Sequence, residues 1–371
     1  MYLLIVFSFI LWYSFILVLF AGWKRSLNRI VHMPEAENLP MISVVVPVRN
    51  EAHNLPSLFQ DLIRQRQPAH EIILADDHSS DDTLLLCRQF AEINPSVRWV
   101  QPQSGCEGKK AALSAGIAAA TGDIILTTDA DCRLPESWIR AMTACFRQND
   151  TLFVAGPVLL TGSSLLQRLL GLEQLALQAV AAASFGLNRP VFCSGANLAF
   201  RKPAFLQAGG YSANLHIPSG DDVFLMQRIK QKCDGNLLFC NSPAATVLTS
   251  PPETWTHLIS QRIRWAGKWK ALGVGTTALA FFVFLFHVLL LTFPVWAMSW
   301  VITLPQVLGL VFIKWMLEFI LLSRVARGLG TAFSAADFLC AQFLFPLYVV
   351  LAGILALKKK TLWKGRIINT R

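Results

Sequence analysis

The run Asp123-Ile124-Ile125-Leu126-Thr127-Thr128-Asp129-Ala130-Asp131 is apolar through its middle and ends in two carboxylates one residue apart. A short β-branched stretch bounded by polar residues reads as a buried strand. Side chains on a strand alternate faces, so positions 129 and 131 point the same way. Upstream, Ile42-Ser43-Val44-Val45-Val46-Pro47-Val48 reads as a second strand. Glu71-Ile72-Ile73-Leu74-Ala75 is a third, ending in Asp76-Asp77-His78-Ser79-Ser80-Asp81-Asp82-Thr83, and Val97 to Val100 is a shorter fourth. Leu55 to Arg66, Thr83 to Ile93 and Lys109 to Ala120 between them have helical period. This alternation predicts an α/β domain with a mostly parallel sheet and helices on both faces. Ligands in such folds lie beyond the carboxyl ends of the strands, which is where the paired acids fall.

Outward from this domain the composition changes. Of 371 residues, 54% are hydrophobic and 15% charged, against about 25% charged in an ordinary soluble protein. That excludes a disordered chain, a small disulfide scaffold and a plain soluble enzyme. Met1 to Trp23 contains no Asp, Glu, Lys or Arg and is long enough to cross a hydrocarbon core of about 30 Å. Lys24, Arg25 and Arg29 follow, and the positive flank places the next domain in the cytoplasm. A second charge-free stretch, Ala271 to Ile313, allows two passes, with Pro294 and Pro305 as bends. A third apolar segment, Phe338 to Leu357, contains Pro346 and precedes the basic tail Lys358, Lys359, Lys360, Lys364, Arg366 and Arg371. Three full passes would carry this tail outside, against the positive-inside rule, so one segment is expected to be re-entrant or interfacial, with the Pro346 segment first in line. Ser163 to about Ser184 carries an apolar stripe of Leu165, Leu169, Leu172 and Leu175 and can either pack on the sheet or lie along the bilayer surface. The net charge of +10 tracks the membrane boundaries, so nucleic acid is not an expected partner. The eight cysteines form no C-x-x-C pair and are expected to be reduced thiols.

Several acids and cations fall at places where chemistry is expected. Asp129 and Asp131 make a hard-oxygen site for Mg²⁺ or Mn²⁺, ions that take one or two carboxylates and complete their shell with phosphates. Asp76 and Asp77 end a neighbouring strand, where a carboxylate can bond a base N–H or a ribose hydroxyl; Ser80 or Asp81 is expected to cap the helix that follows. Lys109 and Lys110 follow Gly105 and Gly108 and open a helix, a setting suited to an anionic phosphate. Gly220-Asp221-Asp222 precedes a helical run; one Asp is expected as the cap and the other is available as a base. Ser194-Gly195-Ala196-Asn197 is a small-residue turn able to admit a close ligand. Gln261, Arg264 and Trp265 share one helical face. They read equally as an acceptor site and, with Trp255, Trp269, Arg262, Lys268 and Lys270, as a juxtamembrane belt.

In order and spacing these motifs resemble the family 2 inverting glycosyltransferases of GT-A fold (Rossmann-like, mostly parallel sheet). The likeness is closest to the membrane-bound branch of ceramide glucosyltransferase, cellulose synthase and hyaluronan synthase. The matching pieces are Val44 to Glu51, Asp76 to Thr83, Gly108-Lys109-Lys110-Ala111-Ala112-Leu113, Asp129-Ala130-Asp131, Gly220-Asp221-Asp222 and Gln261-Arg262-Ile263-Arg264-Trp265. The resemblance implies nucleotide-sugar binding by Glu51, Asp76, Asp77, Lys109, Lys110 and Asp129. It also implies a divalent metal on Asp129 and Asp131, an acceptor and diphosphate end at Gln261, Arg264 and Trp265, and Asp222 as general base. Asp221 stands where the family's motif has Glu.

The implied organisation is an N-terminal anchor (1–23), a cytosolic GT-A domain (40–251), an interface helix (252–270), C-terminal membrane segments (271–357) and a basic tail (358–371). The implied activity is transfer of one sugar from a nucleotide-sugar to a membrane-embedded lipid or glycan acceptor, with the protein in a bacterial inner membrane. A processive polysaccharide synthase is the alternative, and a non-catalytic nucleotide-binding membrane scaffold a more distant one. With only four apolar segments, the chain is short of helices to enclose a polymer channel.

Overall fold

The computed structural model describes residues 2–29, 40–147, 150–212, 220–252, 254–267, 273–298, 303–355, 360–363 and 366–369. The chain opens with α1 (Tyr2–Asn28). The domain runs β1 (Ile42–Val48), α2 (Leu55–Ile63), β2 (Glu71–Asp76), α3 (Thr83–Ile93), β3 (Val97–Val100), α4 (Lys109–Ala119) and β4 (Ile124–Thr127). It continues with β5 (Cys132–Arg133), α5 (Trp138–Ala144), β6 (Thr151–Ala155), β7 (Val158–Leu160), α6 (Leu165–Gly186), β8 (Leu198–Arg201) and α7 (Lys202–Gln207). Then come α8 (Asp221–Lys232), β9 (Asn236–Phe239), β10 (Val247–Thr249) and α9 (Trp255–Gly267). The helices α10 (Val274–Met298), α11 (Leu304–Gly328) and α12 (Ala335–Leu355) lead to a hairpin of β11 (Lys360–Trp363) and β12 (Arg366–Asn369).

The main sheet has the order β3-β2-β1-β4-β8-β6-β9. Strands β3, β2, β1 and β4 are mutually parallel. Strand β8 runs against both its neighbours, and β6 and β9 are parallel. A small second sheet, β5-β10-β7, flanks it. The β-branched runs are buried on both faces, as a sheet covered on both sides requires. Val44, Val46, Ile72, Leu74, Ile124 and Leu126 pack with α2, α3 and α5 through Leu58, Cys87 and Trp138. Val45, Ile73, Ile125 and Phe200 face the other way, toward Leu113 and Ile117 of α4 and the long helices.

On that second face α6 settles the choice left open by its stripe: it packs between the sheet and α1. A capping box of Ser164 and Gln167 starts it. Its far end crosses α1 with glycine against glycine. A Cβ on Gly186 would lie 1.9 Å from the Gly22 carbonyl oxygen, and one on Gly22 would lie 2.5 Å from that of Ala183. Arg29 at the foot of α1 donates to the Phe185 carbonyl at 2.8 Å. Among the described residues five helices, α1, α6, α10, α11 and α12, are long and apolar enough to cross a membrane, and of these α6 is the one mostly buried inside the protein.

The C-terminal helices depart from the sequence reading in one place. The second pass does not end at Ile313; α11 runs on to Gly328 and takes Lys314 and Glu318 into its middle. They are tolerated because they pair with each other at 2.8 Å and with Gln342 of α12 at 2.7 and 2.9 Å, and because Trp12 of α1 donates to Glu318 at 2.7 Å. The Pro346 segment is one continuous helix, α12, with Pro346 inside it. Arg168 of α6 holds its first turn through Asp337 at 3.0 Å. The hairpin strand β11 beyond its end lies against α9. Lys268 to Lys270, part of the expected belt, and most basic residues of the tail fall outside the described residues.

At the amino edge of the sheet Glu71 ties β1, β2, β3 and α4 together. It accepts from Ser43 Oγ at 2.6 Å, from the Thr121 N–H at 2.5 Å and hydroxyl at 2.8 Å, and from Arg98 at 2.5 Å. Burial opposes its charge, but these donors outweigh it and hold its carboxyl down at about 2. The folded value lies below the unfolded one of about 4.3. The ionised form therefore contributes stability above that pH, roughly 3 kcal/mol, which is lost as pH falls toward 2. Glu71→Gln is expected to lower the thermal unfolding midpoint at pH 7. Its gap to wild type should close as the pH is taken from about 5 to about 2; a gap independent of pH would show that the charge contributes nothing.

Candidate active site

The carboxyl ends of β1, β2 and β4 converge on one edge, and the loops leaving them carry the acids. Two non-glycine residues there adopt left-handed backbone, Asn50 (φ 51°) and His78 (φ 53°). Such conformations cost energy and cluster at functional sites. They are held in place by mutual bonds between the two loops: Asn50 N–H donates to Ser79 Oγ at 3.0 Å, and Asn50 Oδ1 accepts from Ser80 N–H at 2.8 Å. The cap of α3 is neither Ser80 nor Asp81 but Asp82, whose side chain makes no capping bond; Asp81, one residue earlier, accepts from the Thr83 N–H at 3.1 Å. Glu51 accepts from Asn54 at 2.7 Å, and its own N–H donates to Thr83 Oγ1.

The two acids after β2 have different surroundings. Asp76 is fully buried and shapes the turn, accepting from the Ser79 N–H and hydroxyl and from Gln101 at 2.8 Å. Asp77 reaches across to the loop before α4, where the Gly108 N–H donates to its Oδ1 at 2.7 Å, while Arg49 sits 3.4 Å from its Oδ2. Asp77 thus links the β2 end to the glycine turn that launches Lys109.

Lys109 is the centre of the acid cluster. Its Nζ lies 2.6 Å from Asp129 Oδ1 and 3.5 Å from Asp221 Oδ2. Burial pushes its pKa down, but Asp129, Asp221 and Asp222 more than reverse this and hold it well above its ordinary value. Lys110, one residue on, is turned elsewhere: it is buried, with its ammonium over the Phe224 ring of α8 at 5.4 Å. The structure therefore separates two lysines that the sequence left equivalent. Asp131 stands beside Asp129; both carboxylates, after burial, push the Cys132 thiol upward. Their donor set is oxygen only, which fits a hard divalent cation. Among the described residues no group of three or more His, Cys, Asp or Glu side chains is gathered to hold a metal by itself.

Asp221 and Asp222 both lie in the first turn of α8, whose cap is Gly220 in the left-handed region (φ 83°) rather than either acid. Asp222 Oδ2 accepts from the Gly195 N–H at 3.1 Å, and its Oδ1 from the Val223 N–H at 2.7 Å. A Cβ at Gly195 would come within 3.0 Å of Asp221 Oδ2 and 3.2 Å of Lys109 Nζ, so a larger residue there would push on both charged groups. Asn197 is the strut beneath this turn. It is fully buried, accepts from Trp138 Nε1 at 2.9 Å and donates to the carbonyls of Pro157 and Ala245 at 2.8 Å each.

From the membrane side, Arg264 of α9 comes close enough that Asp221 and Asp129 favour its charge against the burial that lowers its pKa. Gln261 and Trp265 flank it, both in contact with Arg262. Tyr211 is a site neighbour that the sequence reading missed; burial, then Asp221, raises its hydroxyl pKa well above the ordinary range. Only a lone aromatic after Gly209-Gly210 marked it in the sequence.

A mostly parallel α/β sheet with acids at the strand ends, and further acids on a later helix, has the layout of a transferase of GT-A type. Residues 43–207 match the family described as Glycosyl transferase family 2, and this part of the chain is a domain of that family. The chain is 28% identical over 239 residues to the probable glycosyltransferase YdaM of Bacillus subtilis, covering 62% of this chain and 55% of that one. It is 33% identical over 115 residues to the undecaprenyl-phosphate 4-deoxy-4-formamido-L-arabinose transferase of Proteus mirabilis, covering 30% of this chain and 35% of that one. These matches thus span about half of one curated relative and a third of the other. The fold is similar to that of mannosyltransferase PcManGT from Pyrobaculum calidifontis, solved in complex with GDP-Man and Mn²⁺, with a TM-score of 0.57 over 96% of this chain and 98% of that one at 15% identity.

Removing the strut tests how the site is built. Asn197→Ala leaves one donor and two carbonyls buried without their partner, each costing about 1–3 kcal/mol. The expected result is a loss of at least about 3 kcal/mol in unfolding free energy in detergent. A change below about 1 kcal/mol would mean that the Gly195 turn does not rest on Asn197.

Proposed function

We propose that the protein transfers a single sugar from a nucleoside-diphosphate sugar to a hydroxyl of a membrane-embedded lipid, inverting the anomeric carbon. The observation that carries this reading is the cluster in which the Lys109 ammonium joins Asp129 to Asp221 beside Asp222, with Arg264 of α9, the helix before the apolar segments, close to the same acids. A lipid acceptor is supported by the name of the Proteus relative, and a nucleoside-diphosphate donor by the ligand of the Pyrobaculum structure.

Each residue's part follows from its surroundings. Asp77 and the glycine turn at Gly108 bind the nucleoside end. Lys109 carries its charge to the diphosphate, and Arg264 approaches the same place from α9, so that both offset negative charge that grows on the leaving group. Asp129 and Asp131 would hold a divalent ion, Mg²⁺ or Mn²⁺, which when bound supplies Lewis-acid stabilisation of the diphosphate oxygens. Asp222, oriented by two backbone N–H donors, accepts the acceptor's hydroxyl proton as the oxygen attacks in line with the departing diphosphate. A single displacement inverts the anomeric carbon.

In this reading the domain lies in the cytoplasm against a bacterial inner membrane, which the basic flank Lys24, Arg25 and Arg29 and the bacterial relatives support. The tail lies on the same side. In support, α12 is held by α6 at Asp337 and at Tyr348, and β11 lies against α9, the helix that brings Arg264 to the acids.

Two experiments test the reading. Membranes are incubated with radiolabelled nucleotide-sugars and Mn²⁺ or Mg²⁺, and lipids are extracted. Asp222→Asn is expected to lower transfer by about 10²–10⁴-fold while nucleotide binding persists. Near-normal transfer would remove Asp222 from its role, and a ladder of product lengths would replace single transfer by synthesis of a polymer. For topology, a C-terminal tag in inverted vesicles is expected to be cleaved by added protease; a protected tag would place the tail across the membrane.

A further inference from the structure

Three helices meet in a polar knot behind the acceptor end, and none of its three members is used in the chemistry above. Glu173 comes from α6, Arg262 from α9 and Tyr348 from α12. Arg262 Nη2 donates to Glu173 Oε2 at 2.5 Å and its Nε donates to the Tyr348 hydroxyl. The Tyr348 hydroxyl donates in turn to Glu173, 3.1 and 3.2 Å from its two oxygens. On its other side Arg262 Nη1 donates to Gln261 Oε1 at 2.9 Å, and its guanidinium lies over the Trp265 ring at 4.5 Å. One planar group therefore grips two other helices and two acceptor-end side chains at once, which the fork of Arg permits and a Lys ammonium does not.

We infer that Arg262 is a positioning residue: anchored by Glu173 and Tyr348, it fixes the amide of Gln261 and the ring of Trp265 in the orientation that receives the acceptor. By occupying Gln261 Oε1 it leaves the amide nitrogen, a donor, as the end offered to an acceptor oxygen. By stacking on Trp265 it sets the ring plane that an acceptor sugar or headgroup meets. Helix α9 needs such an anchor because Leu258 and Ile263 are its only fully buried apolar side chains among the described residues. A packed apolar group would serve equally well if the purpose were stability alone, since buried ion pairs are often replaceable by hydrophobic residues without loss. The polar knot is kept here because its free side dictates the orientation of two functional groups. This assignment of purpose rests on the function proposed above, whereas the knot's geometry does not.

The test uses the full-length protein in detergent with Arg262→Lys, Glu173→Gln and Tyr348→Phe. The first readout needs no activity. With 5-fluorotryptophan incorporated, the Trp265 resonance, assigned by Trp265→Phe, is expected to shift in all three variants and no further in Glu173→Gln combined with Tyr348→Phe. A Trp265 signal that stays put in all three, or shifts that add fully in the pair, would overturn the inference. The second readout is transfer to a total bacterial lipid extract from whichever nucleotide-sugar the wild type uses. The extract concentration giving half-maximal rate is expected to rise roughly tenfold in each variant, with the donor KM unchanged within about twofold. Donor and acceptor dependence rising together, or a fallen thermal midpoint with both unchanged, would reduce the knot to a structural tie. If wild type turns over no nucleotide-sugar, the proposed function fails, while the fluorine signal still decides whether Arg262 orients Trp265.

Discussion

One half-buried cation organises the site. Asp129, Asp221 and Asp222 belong to segments some ninety residues apart, and bringing them together is unfavourable without a counter-charge, since like charges at close range repel. The Lys109 ammonium is that counter-charge, 2.6 Å from one acid and 3.5 Å from another. Its own position is set by the sheet. Asp77 at the end of β2 takes the Gly108 N–H, the glycine turn starts α4, and α4 lies close on the sheet because Gly116 meets Val45 without a side chain. Pull any of these apart and the acids lose the cation that lets them coexist. Such a cluster is also responsive, because an anionic ligand with an associated divalent ion offers the same acids another partner and the lysine a phosphate.

The second constraint is the attachment of this edge to the bilayer. Helix α6 is the adaptor, with one side on the sheet through Leu175 and Ala179 and the other on α1 through the Gly22–Gly186 crossing. That crossing leaves no room for a methyl group, so α1 and the sheet hold a fixed relation. Arg168 and Glu173 extend the same helix toward α12, and Glu173 reaches Arg262 on α9. Helices α9 and α12, the former carrying Gln261, Arg264 and Trp265, thus share α6 as a common support.

How much of this the sequence disclosed depends on the range of the interaction. Strands β1 to β4 and helices α3 and α4 were legible almost to the residue because their apolar periods are local. Strand alternation does not carry over to Asp129 and Asp131: β4 ends at Thr127, and both acids lie on the turn that follows, closed by the Cys132 N–H on the Asp129 carbonyl at 3.2 Å. The choice between Lys109 and Lys110 was not legible. Successive helical residues diverge by about 100°, and which one meets the acids depends on how α4 sits on the sheet. The capping of α8 by Gly220 was hidden because Asp is itself a favoured cap. Left-handed Asn50 and His78 were invisible because each is stabilised by bonds from the other's loop. Tyr211 enters the site only through tertiary packing.

The same reasoning explains why the second membrane segment was read too short. A Lys and a Glu in an apolar run look like the end of a span, because an isolated charge at the bilayer centre is costly. Four residues apart on α11, however, they face the same way and neutralise each other. Gln342, twenty-four residues beyond Glu318, then bonds both, and Trp12 from the first helix completes the set through Glu318 Oε1. The pair costs little only when all three helices are in place, so the charges that interrupt the hydropathy pattern also select the arrangement of α1, α11 and α12. Removing one member would strand the others in lipid, whereas a helix that could slide or rotate past its neighbours would need an uncharged surface. The grouping is therefore a device for register. It fixes α12 at Gln342, less than two helical turns before Tyr348 meets Glu173 and Arg262.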